Sequence, residues 1–225
     1  MQSSPNMIQG MRLVSVNIGQ ERRLQVGKKL ESTGIFKQAN YQPVQVTELG
    51  LQADFIRDGK NHGGPDQAVY VYGEPDYAWW SRELQREFPP GTFGENLTVS
   101  GLESATFAIG DRLHAGEVIL EVSAPRIPCS TLSSRMGDPQ FVKRFRAAER
   151  PGLYCRVIRA GVLQVGEDVS VVESLQANVR LLDVFRGFYD RHKSEAELRR
   201  QLSAPIAMRT RADLEEELRI LLAKA

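Results

Sequence analysis

The sequence predicts a mostly β fold of the α+β class, a barrel or sandwich followed by three small helices. Short apolar runs are cut by glycine and proline from Met11 to about Val172, and amphipathic helical segments follow. Many short strands joined by such turns are typical of barrels and sandwiches. We therefore expect a β domain over residues 11–172 and a three-helix domain over residues 173–225. Residues 1–10 are expected to be disordered.

Seven segments of the first domain are predicted to be strands, because apolar and β-branched residues alternate or cluster in them between turn signals. The turns include Gly63-Gly64-Pro65, Gly110-Asp111 and Gly161. In chain order the segments are MRLVSVNIG, PVQVTELGL, QAVYVYG, NLTVSGL, EVILEVS, LYCRVIRAG and EDVSVVES.

Two helices are predicted to interrupt these strands. The segment EPDYAWWSRELQREF has aromatic and leucine residues at three-to-four spacing, and Pro89-Pro90 follow it as a stop signal. The segment DPQFVKRFRAAER places Phe141 and Phe145 four residues apart. Core packing is the ordinary role of such aromatic side chains, so both helices should cover the β domain.

Residues 173–225 are predicted to form three amphipathic helices. The segment SLQANVRLLDVFRGFYD carries one apolar stripe, and Ser194 with Glu197 forms a capping-box pattern before a second helix. A third helix is expected after Thr210, with leucines on one face. Short helices of this kind are unstable alone, so they must pack on each other or on the β domain.

Composition excludes several classes of function. The net charge is +1, and residues 173–225 hold ten Lys and Arg against nine Asp and Glu, so a phosphate-binding face for nucleic acid is not expected. No apolar run reaches the roughly 18 residues of a membrane span. The first ten residues do not resemble a signal peptide, and two cysteines make no disulfide framework. We expect a cytoplasmic protein with reduced thiols.

Asp54, Asp58 and His62 are spaced four residues apart and are one candidate for chemistry. On a helix they would share a face and offer ligands to a divalent metal. Gly59 and Gly63 weaken a helix here, and acidic residues in loops more often act as caps and turn formers.

Cys129 is the second candidate, in the stretch SAPRIPCSTL. Prolines on both sides of Arg126-Ile127 stiffen the approach to the thiol, and a nearby arginine is a neighbour that favours thiolate. A structural thiol in a turn is the alternative, and a nucleophilic pair with His62 is another. Cys155 lies in a predicted strand and should pack as a small apolar group.

Four motifs occur in order: LGLQADFIRDGKNHGGPDQAVYVY, FGENLTVSGL, IGDRL and VSAPRIPC. Together they resemble the MOSC domain, named after the C-terminal part of molybdenum cofactor sulfurase. The helical end is similar to the three-helix tail of the stand-alone bacterial, YiiM-like branch of that family. The resemblance runs from about Met11 to the end and implies a mostly β, barrel-like domain.

The resemblance implies a site for the molybdenum cofactor, a pterin (molybdopterin) that carries the metal and ends in a phosphate. Cys129 would be the thiolate ligand of molybdenum, a soft ligand held by its rigid lead-in. Lys28, Lys37 and Arg126 would hold the phosphate, although an exposed lysine usually has no such role. The implied pocket residues also include His62, Gly63, Asn96 and Ser130.

The activity implied is the reduction of N-hydroxylated compounds, such as 6-N-hydroxylaminopurine-type base analogues, in detoxification. His62 would help to deliver a proton. Because no flavin or nicotinamide motif is present, a separate electron-donor reductase is expected, with the helical tail as its docking surface.

Two alternatives to this enzyme stay open. Cys129 could carry sulfur as a persulfide in a sulfur-delivery protein, or the chain could bind the cofactor without turnover. Exposed edges of a β domain often pair, so the sequence also leaves a homodimer open.

Overall fold

The computed structural model of the protein describes residues 7–57, 63–175 and 179–224. Its strands are numbered in chain order. They are β1 Met7–Gly19, β2 Arg22–Val26, β3 Lys29–Thr33, β4 Lys37–Asn40, β5 Val44–Thr47, β6 Gly50–Leu51, β7 Val69–Gly73, β8 Leu97–Val99, β9 Arg112–Ala115, β10 Val118–Pro125, β11 Leu153–Arg159, β12 Gly161–Leu163 and β13 Asp168–Val172.

Seven of the described strands close into a barrel, which confirms the predicted fold class. The order around the barrel is β13-β9-β10-β11-β7-β8-β1, and β1 pairs again with β13 to close it. Strand β4 pairs with the C-terminal end of β1, at residues 16–19. Strands β7 and β8 form a parallel pair. Closure removes the edges that an open sheet would leave exposed.

The first strand starts earlier than the sequence predicts. Met7 and Ile8 pair with Val172 and Val171. Residues 7–10, which were expected to be disordered, therefore belong to β1. A bulge follows at Gly10, whose φ of 92° suits glycine and shifts the register before Met11. The first strand therefore spans the predicted boundary and helps to close the barrel.

The described residues also form six α-helices. They are α1 Glu74–Leu84, α2 Ser130–Met136, α3 Phe141–Ala148, α4 Leu181–Gly187, α5 Glu195–Leu202 and α6 Met208–Leu222.

Two helix boundaries and one whole helix differ from the sequence prediction. Helix α1 ends at Leu84, before the two prolines, because Gln85 adopts a left-handed conformation and donates its N–H to the Ser81 carbonyl. Helix α6 starts at Met208 and not after Thr210. Helix α2 was not predicted at all, since its seven residues directly follow Cys129 in a stretch that the sequence suggests is a loop.

Strand β7 separates two apolar clusters. Val69 and Val71 point into the barrel core, whereas Tyr70 and Tyr72 point into an aromatic cluster under α1, α2 and α3. The indole of Trp80 donates a hydrogen bond of 2.8 Å to the Tyr72 hydroxyl in that cluster. The strand alternation thus gives the barrel an apolar inside and an aromatic outside wall.

The three tail helices extend the barrel core. Leu181, Val184, Leu198 and Leu214 belong to the same buried cluster as the strand residues. The hydroxyl of Ser194 accepts a hydrogen bond of 3.2 Å from the Glu197 amide, so the predicted N-cap of α5 is confirmed. Within the described ranges, no helix is long and apolar enough to cross a bilayer.

Candidate functional site

A cavity of about 760 Å³ opens beside the barrel. Its lining combines strand β3, the start of β4, residues 54–57, the loop that begins at Gly63, and the segment after β10. The size lies within the range of about 300–1,000 Å³ that small-molecule sites occupy. The cavity is therefore large enough for an organic cofactor or substrate.

Cys129 lies on the cavity wall at the junction of β10 and α2. Strand β10 ends at Pro125, and the Cys129 carbonyl accepts hydrogen bonds from Leu132 and Ser133 at the start of α2. The residue is half-buried, and neither of the two cysteines is in a disulfide. Its direction is thus fixed by a strand end on one side and a helix start on the other, as the flanking prolines predict.

The guanidinium of Arg126 is buried next to this thiol. It donates a hydrogen bond to the Phe93 carbonyl and lies over the Tyr70 ring, 5.0 Å from the ring centre. Within the ranges that the structure describes, it forms no ion pair with a carboxylate. Arginine keeps its charge when buried, so this side chain gives the cavity wall a positive charge.

Gly94 permits this arrangement of Arg126. Its φ is 78°, and a Cβ there would lie 3.5 Å from the guanidinium and 2.9 Å from the Ile35 side chain. Glycine is therefore required for both its conformation and its lack of volume. The sequence motif FGEN contains this position but does not by itself indicate the arginine contact.

A second polar group on the wall is the buried triad of Lys37, Asp54 and Asn96. The Lys37 ammonium forms an ion pair with Asp54, and the two side chains are 8% and 2% exposed. Asp54 also accepts hydrogen bonds from the Gly19 amide at 2.7 Å and from Asn96 Nδ2 at 2.9 Å. Burial lowers the pKa of Lys37, and the Asp54 carboxylate opposes that effect.

Asn96 is used within the protein. Its Oδ1 accepts a hydrogen bond of 3.1 Å from the Tyr70 amide, while Nδ2 donates to Asp54 and to the Asn17 carbonyl. The side chain thus joins β7, β1 and the residue 54 loop. Its clearest action is to position Asp54, and through it Lys37.

Tyr70 and Tyr154 form the aromatic part of the wall. Their ring centres are 4.9 Å apart, and burial raises the pKa of both phenols. Tyr154 was not among the site residues expected from the sequence, although the sequence carries a signal for it. Because Cys155 was expected in the core, strand alternation places Tyr154 on the opposite face of β11.

Glu95 lies behind the site and is fully buried. Its Oε1 accepts hydrogen bonds from the Tyr77 hydroxyl at 2.5 Å, the Gly91 amide at 2.6 Å and the Thr98 hydroxyl at 2.9 Å. Its Oε2 has no partner among the described residues. Burial raises the pKa of this carboxyl above its ordinary value, despite the three donors.

We expect this carboxyl to make folding less favourable as pH rises. Above pH 4.5, up to its raised folded-state pKa, the folded protein holds a proton that the unfolded chain has released. The free energy of unfolding then falls by about 1.4 kcal/mol for each pH unit in that window. Glu95→Gln should remove this decline. Urea unfolding of both proteins from pH 4.5 to 8 measures it.

The slope and not the offset decides this test, because the new amide N–H₂ changes stability equally at every pH. Glu83→Gln replaces an exposed carboxylate of α1 and is the control, with a profile parallel to wild type. Parallel profiles for Glu95→Gln as well would contradict the assignment.

The structure gathers most, but not all, of the residues singled out from the sequence. Five of them line the cavity, namely Lys37, Gly63, Asn96, Arg126 and Cys129. Ser130 is exposed at the start of α2, outside the lining, and Lys28 is exposed at the β2–β3 turn, also outside it. His62 lies outside the described residues.

The proposed acidic metal site gains no support from geometry. Asp58 and His62 lie outside the described residues, and both oxygens of Asp54 are bound within the protein. In the described part of the chain, no three His, Cys, Asp or Glu side chains come together to hold a metal ion. The described residues of this wall therefore do not by themselves form a site for a bare metal ion.

Comparison with known proteins gives three kinds of match. Residues 58–170 match the family model described as the MOSC domain. The chain is 33% identical over 192 residues to the uncharacterised protein YflK of Bacillus subtilis, and this covers 85% of the chain and 86% of YflK. It is also 32% identical over 178 residues to a protein of Gibberella moniliformis named "Reductase", covering 77% of the chain but 31% of that protein.

The fold matches solved structures as well. The crystal structure of YiiM from Geobacillus stearothermophilus superposes with a TM-score of 0.77 at 27% identity, over 93% of this chain and all of that one. The match includes the tail helices, since it extends over nearly the whole chain.

Proposed function

The chain belongs to the MOSC domain family, and from this we propose that it is a molybdenum-cofactor-dependent reductase of N-hydroxylated compounds. The MOSC domain is associated in general with binding of the molybdenum cofactor. One relative that matches this chain is named a reductase. Membership supports the class of cofactor, and the cavity supplies one sulfur ligand and one buried positive charge that suit it.

The observation that carries the proposal is the Cys129 thiol in a cavity whose described residues form no metal cage. Cys129 offers one soft ligand, and the described residues form no cluster that would complete a site for a bare ion. A metal that arrives with its own dithiolene sulfurs needs only such a ligand. The donor set therefore fits this cofactor better than an isolated zinc or iron.

The wall also fits an anionic, planar group. Arg126 supplies a buried positive charge, and the tyrosine rings supply flat apolar surface. Lys37 would contribute less charge than its sequence position suggests, because Asp54 neutralises it. Arg126 is thus our assignment for the main anion contact, through the forked geometry of its donors.

The proposed reaction converts R–NHOH, two electrons and two protons to R–NH₂ and water. When bound, the cofactor would supply a metal centre that accepts an oxygen atom and transfers two electrons. Cys129 would hold that centre in one direction, and the half-enclosed cavity would limit access of water to the reacting bond. The assignment of proton delivery to His62 stays a prediction, because that residue is outside the described parts.

A separate electron donor is part of the proposal. The tail was predicted to be its docking surface, and exposed Phe188, at 62%, is one apolar side chain that the tail offers. Deletion of the tail is a poor test, because helices α4 to α6 complete the barrel core. Phe188→Ser tests docking without opening that core, by comparing rates with the protein donor and with a reduced viologen dye.

The proposed activity is tested on wild-type protein made in molybdate-fed cells that synthesise the cofactor. We expect about one molybdenum and one pterin per chain, and conversion of 6-N-hydroxylaminopurine to adenine with a reduced viologen dye. Molybdenum without turnover of any N-hydroxylated base would reject the enzyme in favour of a binding module. Absence of both molybdenum and pterin would reject the cofactor.

A further inference from the structure

We infer that Gln67 is a ligand-recognition residue whose side-chain oxygen accepts a hydrogen bond from an N–H or O–H group of the molecule in the cavity. Gln67 lines the cavity. Its Oε1 is buried and has no hydrogen-bond donor among the described residues. Gln67 was not among the site residues expected from the sequence.

The orphaned oxygen is unusual for its position. Buried amide oxygens are nearly always bonded, and leaving one without a donor costs stability. Other buried polar atoms without partners occur in the described chain, but of those residues only Gln67 lines the cavity. The chain therefore carries this cost at a place where a ligand can remove it.

Asn96, on the same wall, provides the contrast. It has the same functional group, yet its oxygen and nitrogen are bonded to Tyr70, Asp54 and Asn17. An amide that serves the protein is thus fully bonded in this cavity, whereas the Gln67 oxygen is not.

The backbone around Gln67 is held from several directions. Its own N–H donates to the Gly64 carbonyl at 3.0 Å. The neighbouring Asp66 carboxylate accepts hydrogen bonds from Arg156 at 2.9 Å and from the Met208 amide, at the start of α6, at 2.6 Å. The Ser123 hydroxyl donates to the Asp66 carbonyl. Asp66 and the Gln67 backbone are therefore held by bonds within the protein, as a recognition group requires.

The Gln67 oxygen determines which type of ligand group can bind there. A neutral amide oxygen binds donors and gives no advantage to an anion, so Gln67 would contact an N–H or O–H and not a phosphate. This inference rests on the proposed function for the identity of the molecule. Both the pterin and an N-hydroxylated substrate carry such donors, so the experiment separates the two.

The test compares wild type with Gln67→Met, which keeps the length of the side chain and removes its polar atoms. In full-length protein made without the cofactor, the variant should have a Tm about 2–4 °C higher, because the orphaned acceptor is gone. The affinity of Gln67→Met for the molecule that Gln67 contacts, cofactor or substrate, should be about five- to tenfold lower than that of wild type. Gln164→Met, at an exposed position away from the lining, is the control and should change neither.

The two ligand sources give different results in protein made with the cofactor. Reduced pterin and molybdenum content would identify the cofactor as the donor. Normal content with a five- to tenfold higher KM for 6-N-hydroxylaminopurine, at unchanged kcat per molybdenum, would identify the substrate. Gln67→Leu repeats the measurement with a stiffer side chain.

A lower or unchanged Tm would overturn the inference, since the amide would then serve the fold or bind an internal water. A higher Tm with unchanged content and KM would overturn it too. If the wild-type protein contained no molybdenum, the proposed function would be refuted, but the inference about Gln67 would not. In that case calorimetric binding of 6-N-hydroxylaminopurine to the cofactor-free proteins decides for Gln67, and equal affinities would count against it.

Discussion

Replacement of Cys129 by serine is expected to remove molybdenum from the protein and abolish N-hydroxyl reduction. The hydroxyl of serine is a hard, poorly ionised ligand, whereas the proposed molybdenum site requires the soft thiolate of Cys129. Loss of residues that merely orient a metal ligand costs about 10–100-fold in affinity or activity, so loss of the ligand itself should exceed about a hundredfold. Molybdenum per chain and turnover of 6-N-hydroxylaminopurine measure the two effects.

Cys155→Ala is the matched control, because it removes the other thiol. Cys155 is buried in the barrel core, away from the cavity lining, and burial raises the pKa of its thiol. This variant should lose some stability and keep its molybdenum. A Cys129→Ser protein with normal molybdenum would refute the assigned ligand. Sulfane sulfur on wild-type Cys129, with no molybdenum, would favour sulfur delivery.

Lys37→Met is expected to destabilise the folded protein by about 3–5 kcal/mol. The substitution removes the cation of a buried ion pair and leaves the Asp54 carboxylate in the protein interior. The amide donors from Gly19 and Asn96 compensate only part of that charge. The free energy of unfolding in urea, at neutral pH, measures the loss.

A second change separates charge from packing. The double variant Lys37→Met with Asp54→Asn should be more stable than Lys37→Met alone, because no buried charge is left without a partner. Lys143→Met, at an exposed position of α3, should change stability by no more than about 0.5 kcal/mol. If Lys37→Met behaved like Lys143→Met, the ion pair would have no role in the fold, and an anion-binding role for Lys37 would regain weight.

Six of the seven barrel strands, all except β9, and the tail could be predicted from the sequence because their signals are local. Alternation in LYCRV and QAVYVY, and the Ser194 cap, each depend on a few neighbouring residues. Helix α2 escaped prediction because seven residues carry too little periodicity, and the prolines before Cys129 suggested a loop.

The site was only partly predictable, since its contacts join distant parts of the chain. Lys37 was expected to be solvated or bound to phosphate, yet this first residue of β4 is paired with Asp54, which lies after β6. Asn96 was expected to face the ligand, but its bonds run to strands that only the closed barrel brings near. Gln67 gave no signal, because an orphaned atom is defined by its three-dimensional surroundings.

The contact between Asp66 and the start of α6 affects how the tail can change over evolutionary time. Its donor is the backbone amide of residue 208, so substitution there preserves it with any amino acid except proline. The acceptor, in contrast, depends on one carboxylate in the cavity loop. Drift of the tail sequence is therefore compatible with a constant cavity, whereas a tail exchanged between relatives would have to begin its last helix at the same position.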